Sequence, residues 1–314
     1  MKITSFLKLV EIQTKVASMI PFILGNLYAF NRFESFSFLN LLIMFCSLIT
    51  FDMATTAINN YYDYKKAHKK EGFGYEEHNA IVAHGLRENI VKAIIIALLV
   101  IATSSGVLLV YKTDIIVLLI GMLSFGVGIV YSFGPIPISR TPFGEFFSSF
   151  FMGVLIIFLS IYIHIWNADM LSFSLYEGLF ELRGDYKEIL KILLFSIPVF
   201  GGISNIMLAN NICDIEDDIA NRRYTLPIYI GKENSLKLFK LIYISSYLAL
   251  GFSISLGLEP LLNIGVFMTA ILVNKNIEEF FKVQSKKETF ALSVKNFLII
   301  NGARIIGFFI FMLI

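Results

Sequence analysis

Long runs of apolar residues, separated by short polar segments, cover most of this chain. Many approach the roughly 20 residues that a helix needs to cross the hydrocarbon core of a bilayer. Because the runs are continuous rather than alternating, they predict membrane helices and not the strands of a barrel. Nine spans are predicted, at residues 14–31, 36–58, 90–111, 115–133, 145–165, 188–210, 238–257, 260–274 and 291–313.

The composition agrees with this pattern. Hydrophobic residues make up 56% of the 314 residues and charged residues 16%, and the mean hydropathy is +0.73. These values exclude a soluble enzyme and predict an all-α, polytopic membrane protein with one transmembrane domain over residues 1–314. The net charge of +2 is small and the basic residues are scattered, so no nucleic-acid partner is expected.

The basic residues predict an orientation in the membrane. Twenty of the 26 Lys and Arg residues flank the spans on the side of the amino terminus, five lie on the other side, and Arg304 lies within the last span. This asymmetry predicts a cytoplasmic amino terminus and an outer carboxyl terminus. On the outer side, residues 166–187 interleave apolar and polar side chains, and we expect a helix lying in the membrane interface there.

The second predicted span ends in a polar cluster that needs a reason. Asn59 and Asp63 are one helical turn apart and share a face. Asp52, about three turns earlier, falls near the same face. A carboxylate at membrane depth is costly and usually faces a wet cavity, which makes Asp52 a candidate site residue. The alternative is that this segment is an ordinary solvated helix end.

A second cluster follows the sixth predicted span. Asn210, Asp214 and Asp218 share one helix face, with Asp217 beside them. Carboxylates this dense repel one another unless a cation lies among them, and oxygen ligands suit Mg²⁺. Two such clusters flanked by basic residues would hold a diphosphate together with the metal. The alternative is a charged loop that only enforces topology. The neighbouring basic residues are Lys65, Lys66, Arg222 and Arg223.

A third segment, residues 131–145, joins two predicted spans through three prolines and two glycines. Irregular backbone of this kind is tolerated at membrane depth only where protein or a cavity surrounds it. A simple tight turn is the alternative interpretation.

The order and spacing of these three segments resemble the UbiA superfamily of intramembrane aromatic prenyltransferases. The Tyr131-x-x-Gly134-Pro135-x-Pro137 segment resembles the menaquinone branch, in which 1,4-dihydroxy-2-naphthoate is the acceptor. The resemblance implies about nine helices around a cavity open to the cytoplasmic side, in a bacterial plasma membrane. It also implies Mg²⁺ as cofactor and a polyprenyl diphosphate as substrate.

The resemblance implies roles for individual residues. Metal ligands would be Asp63, Asp214 and Asp218, with Asn59, Asn210 and Asp217. The basic residues that would neutralise the negative charge of the diphosphate are Lys65, Lys66, Arg222 and Arg223. Further binding candidates are Asn60, Asn211, Arg140, Tyr131 and Asp52.

The chain departs from the family pattern in the first cluster. Asn60 and Ala67 stand where acidic residues are usual, and Asn79-Ala80 where Arg-Pro is common. Asp63 is then the one firm carboxylate of that cluster, and we expect Asn60→Asp to be tolerated. Two alternatives remain: the same chemistry with another acceptor, such as 4-hydroxybenzoate, haem or a glycerol phosphate lipid, and a secondary transporter with acidic coupling residues.

Overall fold

The computed structural model describes residues 2–66, 80–132, 134, 137–168 and 170–314, without the side chains of Asp63, Lys66 and Ser132. Most of these residues are helical. The helices are α1 (Ile3–Leu9), α2 (Val16–Phe33), α3 (Phe38–Lys66), α4 (Ala80–Ala83), α5 (Glu88–Lys112), α6 (Ile115–Ser132), α7 (Gly144–Ile165), α8 (Tyr186–Cys213), α9 (Ile215–Ala220), α10 (Leu226–Ile230), α11 (Lys232–Ser255), α12 (Thr269–Lys282) and α13 (Phe290–Leu313). Short 3₁₀ segments lie at Ile12–Lys15, Ile138–Arg140 and Leu261–Met268.

Among the described residues, six helices are long and apolar enough to cross a membrane, namely α3, α5, α7, α8, α11 and α13. Helical structure also occupies the other three predicted positions, in α2, in α6 and in the 3₁₀ segment that leads into α12. A multi-pass membrane protein is therefore confirmed, while nine crossings around a cavity remain a prediction.

The chain forms two compact units. Unit 1 comprises Met1–Met19 and Phe38–Ile129, and unit 2 comprises Ile20–Ser37 and Val130–Ile314. In unit 1, α3 packs along α5. A small apolar core under their ends contains Leu9, Ala57, Ala80, Ile81 and Val91. The single domain over residues 1–314 stays a prediction.

In unit 2, α8 is the central helix and packs against α7, α11 and α13. Two adjacent glycines make these close approaches possible. A Cβ atom on Gly201 would lie 2.5 Å from the Ser246 hydroxyl of α11, and one on Gly202 would lie 2.5 Å from the Phe297 ring of α13. A larger residue at either position would force these side chains to move, so the glycines permit the close approach of α11 and α13 to α8.

A π-helical turn, Phe150–Leu155, interrupts α7. Within it, Gly153 faces the backbone of α8 so closely that a Cβ atom would lie 2.9 Å from the Phe200 Cα atom. One turn earlier, the hydroxyls of Ser149 and Ser204 are hydrogen-bonded at 2.7 Å. These contacts bring the first turns of α7 against the carboxyl-terminal half of α8.

The interfacial helix predicted for residues 166–187 is wrong. The segment forms an antiparallel hairpin of β1 (Leu171–Tyr176) and β2 (Leu179–Gly184), and Tyr176 pairs with Leu179 across the turn. Leu171, Phe173 and Leu175 alternate with serines, which is the period of a strand. Both turn residues, 177 and 178, have positive φ angles, as a type I′ hairpin turn requires.

Candidate active site

The second cluster lies at the end of α8 in unit 2. Asp214 follows the last residue of α8 and precedes α9, and its carbonyl accepts the Asp218 N–H at 2.7 Å. The Asn210 amide lies 3.4 Å from the Asp214 carboxylate, one turn earlier. Asn210, Asp214 and Asp218 therefore follow one another at helical spacing along one edge, as the sequence predicts.

A lysine outside the sequence motifs supplies positive charge to this edge. The Lys286 ammonium donates to the Asn210 side-chain oxygen at 2.7 Å and to the Asp214 carboxylate. Lys286 belongs to the segment after α12, and 72 residues separate it from Asp214. Because these residues are so distant in sequence, no local pattern predicts their contact, and only the tertiary structure reveals it.

Asp218 is the buried member of the cluster, with 3% of its surface exposed. The Thr225 hydroxyl donates to its carboxylate at 3.1 Å, and the Arg223 guanidinium lies 3.3 Å away as an ion pair. Burial nevertheless raises the pKa of Asp218, an effect that Arg223 and Thr225 oppose. A cation bound beside this buried carboxylate would stabilise its ionised form.

Three other predicted residues of unit 2 lie on the surface around this cluster. Asp217, Arg222 and Arg140 are exposed. Arg222 has a left-handed backbone, with φ of 53°. The Arg140 carbonyl accepts the Tyr224 N–H at 3.1 Å, which ties the central segment to the loop after the cluster. Phe133, Pro135 and Ile136 of the central segment lie outside the described residues.

Asn211 and Tyr131 lie beside Glu145, an acid that is not among the predicted site residues. The Asn211 amide is buried and donates to Glu145 Oε1 at 2.8 Å. The Tyr131 hydroxyl lies 3.5 Å from the carbonyl of Gly144, the residue before Glu145. Glu145 itself, in the first turn of α7, is 5% exposed. Glu145 is the last residue of the 131–145 segment that the sequence singles out, but no pattern there marks it as a site residue.

The first cluster, in unit 1, is arranged differently. Asn59 is exposed, but Asn60 is buried and its amide donates to the Leu9 carbonyl and to Glu11 Oε1, both at 3.1 Å. The Asn60 amide is therefore hydrogen-bonded to the amino-terminal segment of the chain. Glu11 has a left-handed backbone, with φ of 46°, which these hydrogen bonds help to hold.

The basic end of the first cluster is partly described. Lys65 forms an ion pair with Glu88 at 2.7 Å, and this contact raises the pKa of Lys65. Both side chains are partly exposed, so the pair is screened by solvent. The side chains of Asp63 and Lys66 lie outside the described part of the chain, as do residues 67 and 79, where the chain departs from the family pattern.

Asp52 does not carry an unpaired charge. The buried Lys15 ammonium donates to its carboxylate at 2.6 Å, and the Ser18 hydroxyl donates to the other oxygen. Lys15 also donates to the Thr56 hydroxyl at 2.6 Å. Because opposite charges are paired at membrane depth, the arrangement lowers the cost of burying each one.

The donor set of unit 2 fits the requirements of Mg²⁺. Within the described residues, no group of three or more His, Cys, Asp or Glu side chains forms a metal cage. Mg²⁺ does not need one, because it usually binds through one or two carboxylates together with water and substrate phosphates. Asp214 and Asp218, one turn apart, with the Asn210 oxygen nearby, suit that mode of binding.

Comparison with known proteins gives consistent matches. The model of the UbiA prenyltransferase family matches residues 18–298. A 1,4-dihydroxy-2-naphthoate octaprenyltransferase of Bacillus subtilis (strain 168) is 30% identical over 238 residues, which cover 75% of this chain and 68% of that protein.

Solved structures share the fold. A UbiA homolog from Aeropyrum pernix K1 superposes with a TM-score of 0.68 at 16% identity, covering 94% of this chain and 98% of the other. A UbiA homolog from Archaeoglobus fulgidus bound to GPP and Mg²⁺ gives a TM-score of 0.65 at 16% identity, covering 99% and 100%.

Proposed function

Because the chain belongs to the UbiA prenyltransferase family and is a prenyltransferase, we propose that it transfers a polyprenyl group from polyprenyl diphosphate to 1,4-dihydroxy-2-naphthoate. The observation that carries this proposal is the 30% identity, over three quarters of the chain, with an enzyme named for that acceptor. The product would be demethylmenaquinol, an intermediate of menaquinone biosynthesis.

The second cluster supports a role in binding the diphosphate. Asp214, Asp218 and Asn210 would hold Mg²⁺, with Asp217 near enough in sequence to join them. Bound Mg²⁺ would polarise the diphosphate oxygens and neutralise charge on the leaving group. Arg223 and Lys286 are paired with Asp218 and Asp214. Once Mg²⁺ occupies these carboxylates, both cations would donate to diphosphate oxygens.

The reaction itself is a substitution at the first prenyl carbon. Its C–O bond breaks, the diphosphate leaves with the electron pair, and the ring carbon of the acceptor that bears the carboxylate forms the new C–C bond. Loss of the acceptor carboxylate as carbon dioxide restores the aromatic ring. Fixed cations beside the leaving diphosphate stabilise the charge that develops in this step, the kind of contribution that is often the largest in catalysis.

The remaining parts of the proposal rest on the sequence. Asn59, Asp63 and Lys66 are proposed to bind the metal and the diphosphate from their pattern alone, and Lys65 is available after release from Glu88. Arg222 and Arg140 are exposed cations that suit the same anion. The amino terminus is proposed to be cytoplasmic, in a bacterial plasma membrane.

The test is product formation by the purified protein in detergent or lipid. It would receive a polyprenyl diphosphate and 1,4-dihydroxy-2-naphthoate, with either Mg²⁺ or EDTA. We expect prenylated naphthoquinol and carbon dioxide in the presence of Mg²⁺ and neither with EDTA. Prenylation of another acceptor, such as 4-hydroxybenzoate, in place of the naphthoate would refute the proposed acceptor while keeping the family chemistry.

A further inference from the structure

Glu145 is a buried acid in unit 2, and only one of its two carboxylate oxygens accepts a hydrogen bond among the described residues. Its Oε1 atom accepts the Asn211 amide at 2.8 Å, whereas Oε2 has no hydrogen-bond partner among the described residues and is buried. The Asn211 side chain is in turn held by Asn210, whose amide lies 3.3 Å from the Asn211 oxygen. The carboxylate is thus fixed in orientation by the end of α8.

An unpartnered carboxylate oxygen is unfavourable in a buried site. A charged group that loses water without gaining a compensating hydrogen bond is destabilised, so buried acids are normally paired. The other buried glutamates described in unit 2 follow that rule: Glu188 contacts Arg32 and Lys191, and Glu259 contacts Arg304. In each case the partner is a cation, whereas the Glu145 carboxylate contacts a neutral amide.

The surroundings of Glu145 connect it with the second cluster. Asn210, which holds the Asn211 side chain, also lies 3.4 Å from the Asp214 carboxylate. The charge of Asp218 is close enough to Glu145 to act on it. Glu145 therefore belongs to the neighbourhood of the carboxylates that we propose for the diphosphate. The negative charge of the Glu145 carboxylate repels a diphosphate. A neutral hydrogen-bond donor, in contrast, would satisfy its unpartnered oxygen.

We propose that Glu145 Oε2 accepts a hydrogen bond from a ring hydroxyl of the aromatic acceptor. This inference rests on the proposed function. The hydroxyl would satisfy the buried oxygen, and the carboxylate would draw the hydroxyl proton toward itself. That interaction raises the electron density of the ring as its carbon attacks the prenyl group. Asn211 is then a positioning residue, because its amide holds Oε1 and leaves Oε2 directed at the substrate.

Glu145→Gln tests this assignment with little change of shape. The glutamine oxygen can keep the Asn211 contact, and its amide group then places a donor where Oε2 accepted. Hydrogen bonds to charged groups predict a fall of roughly tenfold to a hundredfold in kcat/KM for the naphthoate. The KM for polyprenyl diphosphate and the Mg²⁺ concentration at half-maximal rate should change by less than about twofold.

Two monomethyl ethers of 1,4-dihydroxy-2-naphthoate locate the hydroxyl. With the ether that blocks the bonded hydroxyl, Glu145→Gln should no longer react more slowly than wild type, while the other ether should keep the full difference. Should the glutamine variant fail to fold, the wild type alone still tests the inference. Only one of the two ethers should then bind more weakly than the unmodified naphthoate.

Ser149→Ala is the matched control, because its hydroxyl donates to the Glu145 carbonyl but does not touch the carboxylate. It should keep the wild-type KM for the naphthoate. Equal kinetics for Glu145→Gln and wild type would overturn the inference, and so would a raised requirement for Mg²⁺ or polyprenyl diphosphate. A wild type that prenylates nothing would instead refute the proposed function.

Discussion

The two Asn-Asn pairs of the chain each lie near the carboxyl-terminal end of a long helix, and the second asparagine behaves alike in both. Asn60 in unit 1 and Asn211 in unit 2 are buried, and each donates to a glutamate, Glu11 and Glu145 respectively. The glutamates differ. Glu11 lies in a partly exposed turn, while Glu145 is buried and keeps one oxygen without a partner among the described residues.

The acids that follow the two pairs also differ. Asp214 and Asp218 in unit 2 form a pair of carboxylates with Lys286 and Arg223 beside them. In unit 1, the described charged side chains of the cluster are paired within the unit, Lys65 with Glu88 and, earlier in the helix, Asp52 with Lys15. Among the described side chains, the charges of the first cluster are paired with residues of unit 1, whereas the second cluster brings two carboxylates and two cations together at the end of α8.

The largest expected effect comes from Asp218→Asn. If the second cluster binds the metal and diphosphate, loss of this carboxylate should lower kcat by about 10²- to 10³-fold, as removal of a stabilising group commonly does. Prenyl transfer with saturating Mg²⁺ measures the effect. Glu216→Gln, an exposed neighbour, is the control and should keep the wild-type rate. A comparable loss in Glu216→Gln would show that the effect is not specific to Asp218.

The next effect tests the structural role of the second asparagines. Asn60→Asp and Asn211→Asp each replace a donor with a carboxylate facing a glutamate, and each should destabilise the protein by about 1–3 kcal/mol. Asn211→Asp should cost more, because its site is less exposed to solvent. The thermal midpoint of the protein in detergent measures both changes.

The Asn60→Asp variant has a compensating partner in Glu11. Adding Glu11→Gln should restore most of the lost stability, because it removes the negative charge that faces the newly introduced carboxylate. Glu11→Gln alone, in the presence of the native Asn60, is the control for effects of the glutamine itself. Stability of Asn60→Asp equal to wild type would support the tolerance expected from the family pattern and contradict the structural role.

Lys286→Met should have a smaller effect, on metal affinity. The Lys286 ammonium competes with a cation for Asp214, so its removal should lower the Mg²⁺ concentration at half-maximal rate by roughly threefold to tenfold. Lys287→Met is the neighbouring control and should leave that concentration unchanged. A higher Mg²⁺ requirement in Lys286→Met would mean that the lysine helps to assemble the site rather than competing for it.

The smallest effect is expected from Lys65→Met. Its ion pair with Glu88 is exposed and screened, so the thermal midpoint should stay at the wild-type value. A raised KM for polyprenyl diphosphate in this variant, with unchanged stability, would assign Lys65 to the substrate and bring the first cluster closer in role to the second. Wild-type kinetics would leave it a surface partner of Glu88.

Hydropathy and motif order predicted the helical membrane fold and the family, because both are local properties of the sequence. Helical spacing placed Asn210, Asp214 and Asp218 on one edge, because that spacing is regular. The interleaved pattern at residues 166–187 was misread as a helix, where strand alternation and a two-residue turn produce a hairpin. Asn60 resembled a weakened ligand position, since nothing nearby in sequence reveals its contacts with Leu9 and Glu11.

The sequence by itself determined that the chain enters the membrane, that it belongs to the UbiA prenyltransferase family and where its acidic clusters lie. Only the tertiary structure decided which polar groups are already satisfied. It brought Lys286 to Asp214 and Asn211 to Glu145, over long separations in sequence. The physical reason is that burial and hydrogen bonding depend on what packs around a side chain, and for these residues the neighbours come from other segments of the chain.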